Sequence, residues 1–467
     1  MANHRLAKRP GAELGYRAAL RRLFLTVPAP DWCRSAPKFM EKILKILVSV
    51  VGLCFMAVPG WAQLDNRAFT SSVPGYPTRL LMRRVVYEGM DGHSATVAPP
   101  DAETAAAQAA EQRFEEGNRH ESGDLRLAVN SFTFFKDNEY FNEIVEGYTL
   151  FGTQLNLQVV YYPTKDLRLE GGVFLWKDFG NPALRQVRPT FRGTWTVKNH
   201  QFIFGNIKPH LNHGYIEPLL DFERVMLKPL EEGLQYRYVG SRLFVDTWVD
   251  WLRQEYPGSN YQEQIAGGFS SRFRLTGDNS PVSVSIPFQF TARHFGGQID
   301  TLHLPVQTLF NYATGIVARK TFNSLTFHAL RLDLYSLLYD DHSFGNYRLP
   351  YQRGNGLYLN GTLETRYLDV MVSYWQGNTF YAPLGGPYYQ SVASRYGTPG
   401  YTDAHRRLLY LRLLRDFRVS DAAAVTVRVE PVYDFGHSIL DFSFGVYLNF
   451  RQEWLLGNVG RRVRVGQ

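Results

Sequence analysis

The 467-residue sequence contains little cysteine, and no apolar run in it is long enough to cross a bilayer as a helix. Its two cysteines, Cys33 and Cys54, exclude a disulfide scaffold and a cysteine-rich metal or iron–sulfur site. The apolar run Ile46–Val58 falls short of the roughly 20 residues that a spanning helix needs. Charged residues make up only 20% of the chain, but 15% aromatic residues exclude a disordered polypeptide.

The formal net charge of +8 suggests a nucleic-acid partner until its position is examined. Residues 1–39 carry a net charge of +6, and Met40–Ala62 carries +1. The chain from Gln63 onward is therefore nearly neutral and contains neither cysteine. We exclude nucleic acid as a partner.

The segment Met40–Ala62 has the order of a secretory signal peptide. Lys42 and Lys45 precede the apolar run, and the small residue Ala62 stands where a signal peptidase would cleave. We predict export through this segment, with Met40 as the true start and 1–39 as a mis-assigned upstream extension. A membrane anchor is the alternative interpretation.

Residues 63–124 are polar and lack a strand pattern. Within them, Ala102–Gly117 has the composition of a short helix. We expect a periplasmic extension or a small plug in this N-terminal segment, and a flexible tail is the alternative.

From about Leu125 to Trp454 the sequence alternates between two different faces with a period of two residues. In Phe151–Tyr161 one face is apolar, whereas the other carries Gln154, Asn156 and Gln158. Such alternation is typical of strands. The predicted strands commonly run for 10–14 residues, longer than the ~5–6 usual in soluble proteins.

The pattern predicts an all-β fold, a transmembrane antiparallel up-and-down β-barrel of about 16 strands (range 14–18) over residues 125–454, followed by a basic tail, 455–467. Short and long connections alternate, as in such barrels. His405–Phe417 also fits helical spacing, and Leu325–Tyr339 changes face near Leu330, which implies a bulge or a misread register. The predicted strands are centred near residues 130, 154, 172, 192, 204, 236, 248, 269, 287, 313, 330, 361, 373, 412, 428 and 446.

The leader, the series of hairpins and the aromatic residues near strand ends together resemble Gram-negative outer-membrane β-barrel proteins of the porin-like group. The tyrosine-rich style is similar to barrels of the Bacteroidota. The resemblance implies a location in the outer membrane, contact with its lipid, and insertion by the barrel assembly machinery. One departure is that Phe450 and Trp454 are followed by a basic tail rather than by the chain end.

The resemblance further implies a channel for small hydrophilic solutes, with selectivity set by lumen side chains and inward loops. The loop Ile207–Gly233 is too apolar to extend into water and carries several acids. We expect it to fold inward and to oppose wall arginines across a constriction; packing over the rim or against a partner is the alternative. The constriction candidates are Arg188, Arg192, Arg237, Arg272, Arg274, Glu217, Asp221, Glu223, Glu231 and Glu232.

A second loop, Gly377–His405, is rich in glycine, proline and tyrosine. Exposed tyrosines offer contact area with little loss of entropy, so this loop is a candidate binding surface for an outer-membrane or surface protein. It supports the alternative function, a non-conducting subunit or scaffold of an outer-membrane complex.

Signals for catalysis are weak. The sequence contains pairs such as His342-Ser343, but no G-x-S-x-G, H-E-x-x-H or phosphate-binding glycine loop. His210 and His213 are three residues apart, a spacing that could bind a metal only if a helix held both side chains on one face. Pro209 and Gly214 argue against a helix at this position. We therefore predict no enzymatic activity, no catalytic residues, no metal and no cofactor. A secreted, soluble carbohydrate-active β-protein is the remaining alternative.

The assigned faces can be tested on one strand. Leu157→Arg places a charge toward lipid and should lower the free energy of unfolding by roughly 2–4 kcal/mol near the midplane, whereas Gln158→Arg faces the lumen and should be tolerated. Urea titration of the folded barrel measures both changes. Equal effects of the two substitutions would contradict the register.

Overall fold

The structure, a computed structural model, describes residues 120–277, 280–297, 299, 304–343, 347–420 and 422–460. Within them, sixteen antiparallel strands form one closed barrel, in which each strand pairs with its sequence neighbours and β1 pairs with β16. The strands are β1 Asp124–Glu139, β2 Tyr148–Thr164, β3 Leu167–Asp178, β4 Gln186–Val197, β5 His200–Asn206, β6 Glu232–Val239, β7 Leu243–Arg253, β8 Gln264–Arg274, β9 Val282–Phe295, β10 Gln307–Thr321, β11 Phe327–Asp341, β12 Arg353–Thr365, β13 Asp369–Asn378, β14 His405–Arg418, β15 Ala423–Asp434 and β16 Ile439–Asn458.

The predicted fold class and strand number are confirmed, and all sixteen predicted centres fall inside strands. The predictions for 1–39, the signal peptide and 63–119 lie outside the described residues, as does the end of the tail from residue 461. No helix in the described ranges is long and apolar enough to cross a membrane.

The barrel wall is polar inside and apolar outside. On β2, Gln154 and Gln158 point inward and are buried, whereas Phe151 and Val159 point outward and are about half exposed. This arrangement is the reverse of a soluble protein, and it fits a wall whose outer surface contacts lipid.

The two rims of the barrel differ. At one end of the barrel, which we call the turn side, the strand connections are short. Both ends of the described chain also lie at this end. The connections at the other end, the loop side, include 207–231 and 379–404. Near the turn side, three aromatic rings on the outer surface pack together, those of Trp195, Phe202 and Tyr236.

Three details differ from or sharpen the sequence pattern. His405–Phe417 is part of strand β14, with Arg412 inward and Leu411 outward. The change of face near Leu330 comes from a register shift between Phe327 and Ala329. Trp375, one of the aromatic residues near strand ends, points into the lumen, where it packs against the Phe380 ring and is fully buried.

Candidate functional site

Two loop-side connections fold into the lumen, and we call 207–231 and 379–404 the inner segments. The first contains a 3₁₀ turn, His210–His213, and one short helix, α1 (Arg224–Leu227). Leu219, Val225 and Met226 of this segment are fully buried because they enter the barrel. The prediction that this loop is too apolar to extend into water agrees with its position.

The inner segments contact the wall on several sides. Gln289 of β9 accepts the backbone N–H of Ile216 (3.1 Å), and the side-chain amide of Asn311 on β10 donates to the carbonyl of Tyr381 (2.7 Å). Toward the closing strands, the Phe222 ring packs against Tyr447 of β16. The segments therefore cross the lumen instead of lining one wall.

The inner segments also bind each other. The N–H of Asp221 donates to the carbonyl of Leu384 (2.8 Å), and that of Gly386 donates to the carbonyl of Glu217 (2.9 Å). At Gly385, an added Cβ would lie 2.0 Å from the carbonyl oxygen of Pro218. Only glycine permits so close a backbone approach.

Glu217 is the central charged contact between the inner segments and the wall. Its carboxylate accepts hydrogen bonds from Arg428 (2.7 Å), Arg412 and Tyr389 (2.8 Å). Glu430 also accepts from both arginines, so the charges are balanced inside the barrel. Burial alone would raise the pKa of Glu217, but the two guanidinium groups lower it.

A second contact ties the first inner segment to β1. Lys136 donates to Glu223 (2.6 Å), and the Asn138 amide donates to the same oxygen (2.9 Å). Asp221 lies beside this pair, and burial together with the Glu223 charge raises the pKa of Asp221 to about 7. Asp221 therefore carries a partial charge near neutral pH.

His213 forms a third contact between the same segment and the wall. Its Nδ1 lies 2.9 Å from Asp246 and its Nε2 lies 2.8 Å from Glu231, and all three side chains are fully buried. Burial alone would lower the pKa of His213, but the two carboxylates raise it to about 9. The imidazole is therefore protonated at neutral pH.

Of the ten predicted constriction residues, the structure joins Arg188 to Glu232 across 2.5 Å. The other acids have different partners: Arg412 and Arg428 for Glu217, Lys136 and Tyr148 for Glu223, His213 for Glu231, and the backbone N–H of Glu223 for Asp221. The remaining arginines lie on the wall: Arg192 beside Glu170, Arg237 beside Asp246, Arg274 on the Ser241 carbonyl, and Arg272 half-buried on β8.

Sequence reasoning missed Lys136, Arg412 and His213. The polar sequence predicts a connection over Lys136–Glu143, but β1 continues to Glu139 and keeps the alternation that points Lys136 inward. Arg412 was not assigned to a face because its segment also fitted a helix. The long-range pairings of these side chains leave no local signal.

A different group of polar side chains lies on the outer surface, at the loop-side ends of β9, β10 and β11. Thr308 is paired in register with His294, and the N–H of His342 donates to the Thr308 carbonyl (2.8 Å). The three side chains therefore stand in one row, which we call the outer row, with Thr308 in the middle. Neighbours such as Arg293 and Asp341 point inward and are buried.

The outer row combines hydroxyl, imidazole and carboxylate groups. His294 Nδ1 lies 2.9 Å from the Thr308 hydroxyl, and His342 Nε2 lies 2.8 Å from Asp340. Arg353 donates to the second oxygen of Asp340 (3.2 Å). A hydroxyl in contact with an imidazole, beside a second imidazole oriented by a carboxylate, supplies the groups needed for nucleophilic and acid–base chemistry.

The side chains of the adjacent pair His342-Ser343 do not lie in the same site. Successive strand residues point to opposite faces, so Ser343 is buried in the lumen, where it donates to Asp341, whereas His342 is about half exposed outside. His342 instead meets the neighbouring strand, where its ring lies 4.9 Å from that of Phe310.

Comparison with known proteins gives the family. A family model described as lipid A 3'-O-deacylase-type matches residues 116–459, which include the whole barrel. The chain belongs to this family. Membership of the lipid A 3'-O-deacylase-type family, together with the closed barrel, places the protein in the Gram-negative outer membrane and in contact with its lipid.

Solved structures share the barrel fold at low identity. OprD from Pseudomonas aeruginosa is 8% identical, with 72% of this chain and 96% of that chain covered and a TM-score of 0.43. A loop-L8 deletion mutant of OmpT, an outer membrane protein of Vibrio cholerae, is 13% identical, with 72% and 100% covered and a TM-score of 0.42. No curated protein matches the sequence.

The prediction that the chain is not an enzyme is wrong, because the lipid A 3'-O-deacylase-type family is a family of enzymes. The physical reason is that the prediction relied on contiguous motifs of soluble hydrolases. A barrel brings reactive groups together by pairing strands in register, as in the outer row. Within the described ranges, no group of three or more histidine, cysteine, aspartate or glutamate side chains is arranged to hold a metal ion.

The buried His213 contact generates a prediction about pH. Because the folded-state pKa of His213 is raised from 6.5 to about 9, its contribution to stability is fully present below pH 6.5 and is lost as pH rises through about 9. His213→Gln should lower the free energy of unfolding by about 3–5 kcal/mol at neutral pH, since it removes the cation that lies between the two buried carboxylates.

Urea midpoints of the detergent-folded barrel measure both effects. The difference between wild type and His213→Gln should shrink as pH rises past 9. A difference that stays constant across that range would show that His213 is not the titrating group.

Proposed function

We propose that the protein hydrolyses an ester-linked acyl chain on an acylated glycolipid of the lipid A class in the outer leaflet. The observation that carries this proposal is the outer row, in which the Thr308 hydroxyl contacts the His294 imidazole on the outward surface and His342 stands on the next strand. The family description supports the substrate class.

The position of the outer row suits an acyl ester. In such barrels the loop side faces the cell exterior. Beside the row, toward the midplane, the outward rings of Phe290, Phe310 and Tyr312 pack together with centroids 5.1–6.5 Å apart. Aromatic residues of this kind mark the boundary between headgroups and acyl chains, the depth at which acyl esters lie.

The proposed chemistry uses Thr308 as nucleophile and His294 as base. His294 takes the hydroxyl proton while the Thr308 oxygen attacks the ester carbonyl, and the imidazolium then protonates the departing sugar oxygen. Water, deprotonated by the same imidazole, cleaves the acyl-threonine and releases a fatty acid. Asp340 orients His342 beside the reacting hydroxyl, where a second imidazole can stabilise developing charge.

Substitutions in the outer row should abolish deacylation without unfolding the barrel. Thr308→Val removes the nucleophile, and His294→Gln removes a base that contributes about 10²–10⁴-fold. Mass spectrometry of lipid A, with and without expression of each variant, measures loss of the acyl chain. Thr308→Ser retains a hydroxyl and should keep part of the activity.

The matched control is His405→Gln, which removes a histidine that also lies at the loop-side end of a strand but contacts Asn378. Heat-modifiable gel migration verifies folding. Full deacylation by Thr308→Val, or no deacylation by wild type, would overturn the proposal.

A second candidate function is the channel for small hydrophilic solutes. The observation that favours it is the charged inner wall, which carries ion pairs such as Glu170 with Arg192 and Arg319 with Glu364. In this proposal, the ten constriction candidates set selectivity where the inner segments cross the lumen.

Conductance separates the two candidates. If the lumen conducts, replacing residues 383–391 with a short Gly-Ser linker should enlarge single-channel steps in planar bilayers, because it removes ring contacts such as Tyr389 with Trp375. A barrel that gives no steps before or after this change does not serve as a channel.

We propose that a partner protein, if one binds, contacts only the exposed part of the loop Gly377–His405. Tyr388 and Tyr389 are buried in the lumen, whereas Tyr396 is 93% exposed. Any surface partner or non-conducting scaffold role would therefore use residues near Tyr396. We also propose insertion by the barrel assembly machinery, to be tested by depleting that machinery.

A further inference from the structure

Three basic side chains lie near one another inside the loop-side half of the barrel. Arg224 and Lys228 are four residues apart around α1, and the N–H of Lys228 donates to the Arg224 carbonyl (2.8 Å). Residues at this spacing lie on one face of a helical turn. Arg293 reaches inward from β9.

The two arginines are buried with unused donors. Arg224 and Arg293 are 8% and 7% exposed. Among the described residues, Nε and Nη2 of Arg224 and Nε of Arg293 have no hydrogen-bond partner. Buried charged donors without acceptors are costly, so these nitrogens indicate a place for an acceptor.

Two acids lie near these cations, and each of them also binds another group. Glu231 lies 3.5 Å from Arg224, but its other oxygen is held by His213. Arg293 donates to the neutral amide of Gln264 (2.6 Å). Asp250 is the other nearby acid, and one of its oxygens accepts the backbone N–H of Glu232.

The three cations act on one another electrostatically. Burial lowers the pKa of Lys228, and the positive charges of Arg224 and Arg293 lower it further, although Asp250 opposes them. Burial raises the pKa of Tyr381, although the positive charge of Arg293 opposes this increase, so the Tyr381 hydroxyl stays protonated.

We propose that Arg224, Lys228 and Arg293 form a binding site for a phosphate-type anion inside the loop-side half of the lumen, with the Tyr381 hydroxyl as a further donor. Two guanidinium groups and one ammonium group match the charge and the several acceptor oxygens of a phosphate dianion. Lys228 is exposed within the barrel, so solutes from the loop side reach it. The site faces the lumen and is separate from the outer row.

Calorimetric titration of the detergent-folded full chain with inorganic phosphate at low salt tests the site. Wild type should bind one phosphate. Arg293→Gln should weaken binding roughly thirtyfold, because it removes one partner of a buried charge pair. Lys228→Gln, at an exposed position that does not threaten folding, should also weaken binding.

The matched control is Arg407→Gln, at an outward and exposed position on β14. It should leave phosphate binding unchanged. Equal weakening by Arg407→Gln, or an unchanged affinity in both Arg293→Gln and Lys228→Gln, would overturn the proposal.

A second arm identifies the source of the phosphate. Vesicles that contain a phosphorylated glycolipid are compared with vesicles of neutral lipid, using the same variants. Glycolipid binding that Arg293→Gln weakens assigns the site to a headgroup, and binding of inorganic phosphate alone assigns it to a free solute. Absence of binding in both arms contradicts the site.

Discussion

Every strand of this protein depends on the pairing of backbone N–H and C=O groups where no water is available. In a bilayer an unpaired sheet edge would cost several kcal/mol for each exposed group, so a spanning sheet must close. The ladder between β1 and β16 joins the two ends of the described chain and removes both edges. Closure then defines an inside and an outside, and the alternation of each strand distributes its side chains between them.

Closure also creates an interior that must be filled or hydrated. The wall supplies buried charges, and each charge needs a partner because burial weakens its solvation. Glu217, Glu223 and His213 bring opposite charges from the first inner segment to three places on the wall. The inner segments therefore keep their apolar residues in contact with one another while their charged residues reach the wall.

The fold was predictable from sequence, whereas most of the site was not. Alternation over Phe151–Tyr161 predicts its faces correctly because the period of a strand is local. The contact of Glu217 with Arg412 joins residues far apart in the chain, and no local pattern encodes it. The outer row depends on register between three strands, so His294 and Thr308 gave no motif. The adjacent pair His342-Ser343 was misleading because neighbours on a strand point to opposite faces.

The inner contacts have a mechanical consequence for the barrel seam. Phe222 packs against Tyr447 of β16, Lys136 of β1 binds Glu223, and Arg428 of β15 binds Glu217. The first inner segment therefore contacts strands on both sides of the seam from within the barrel. Parting β1 from β16 would break these contacts together with the ladder. The seam therefore resists sideways opening, and lipid meets the protein only on its closed outer wall.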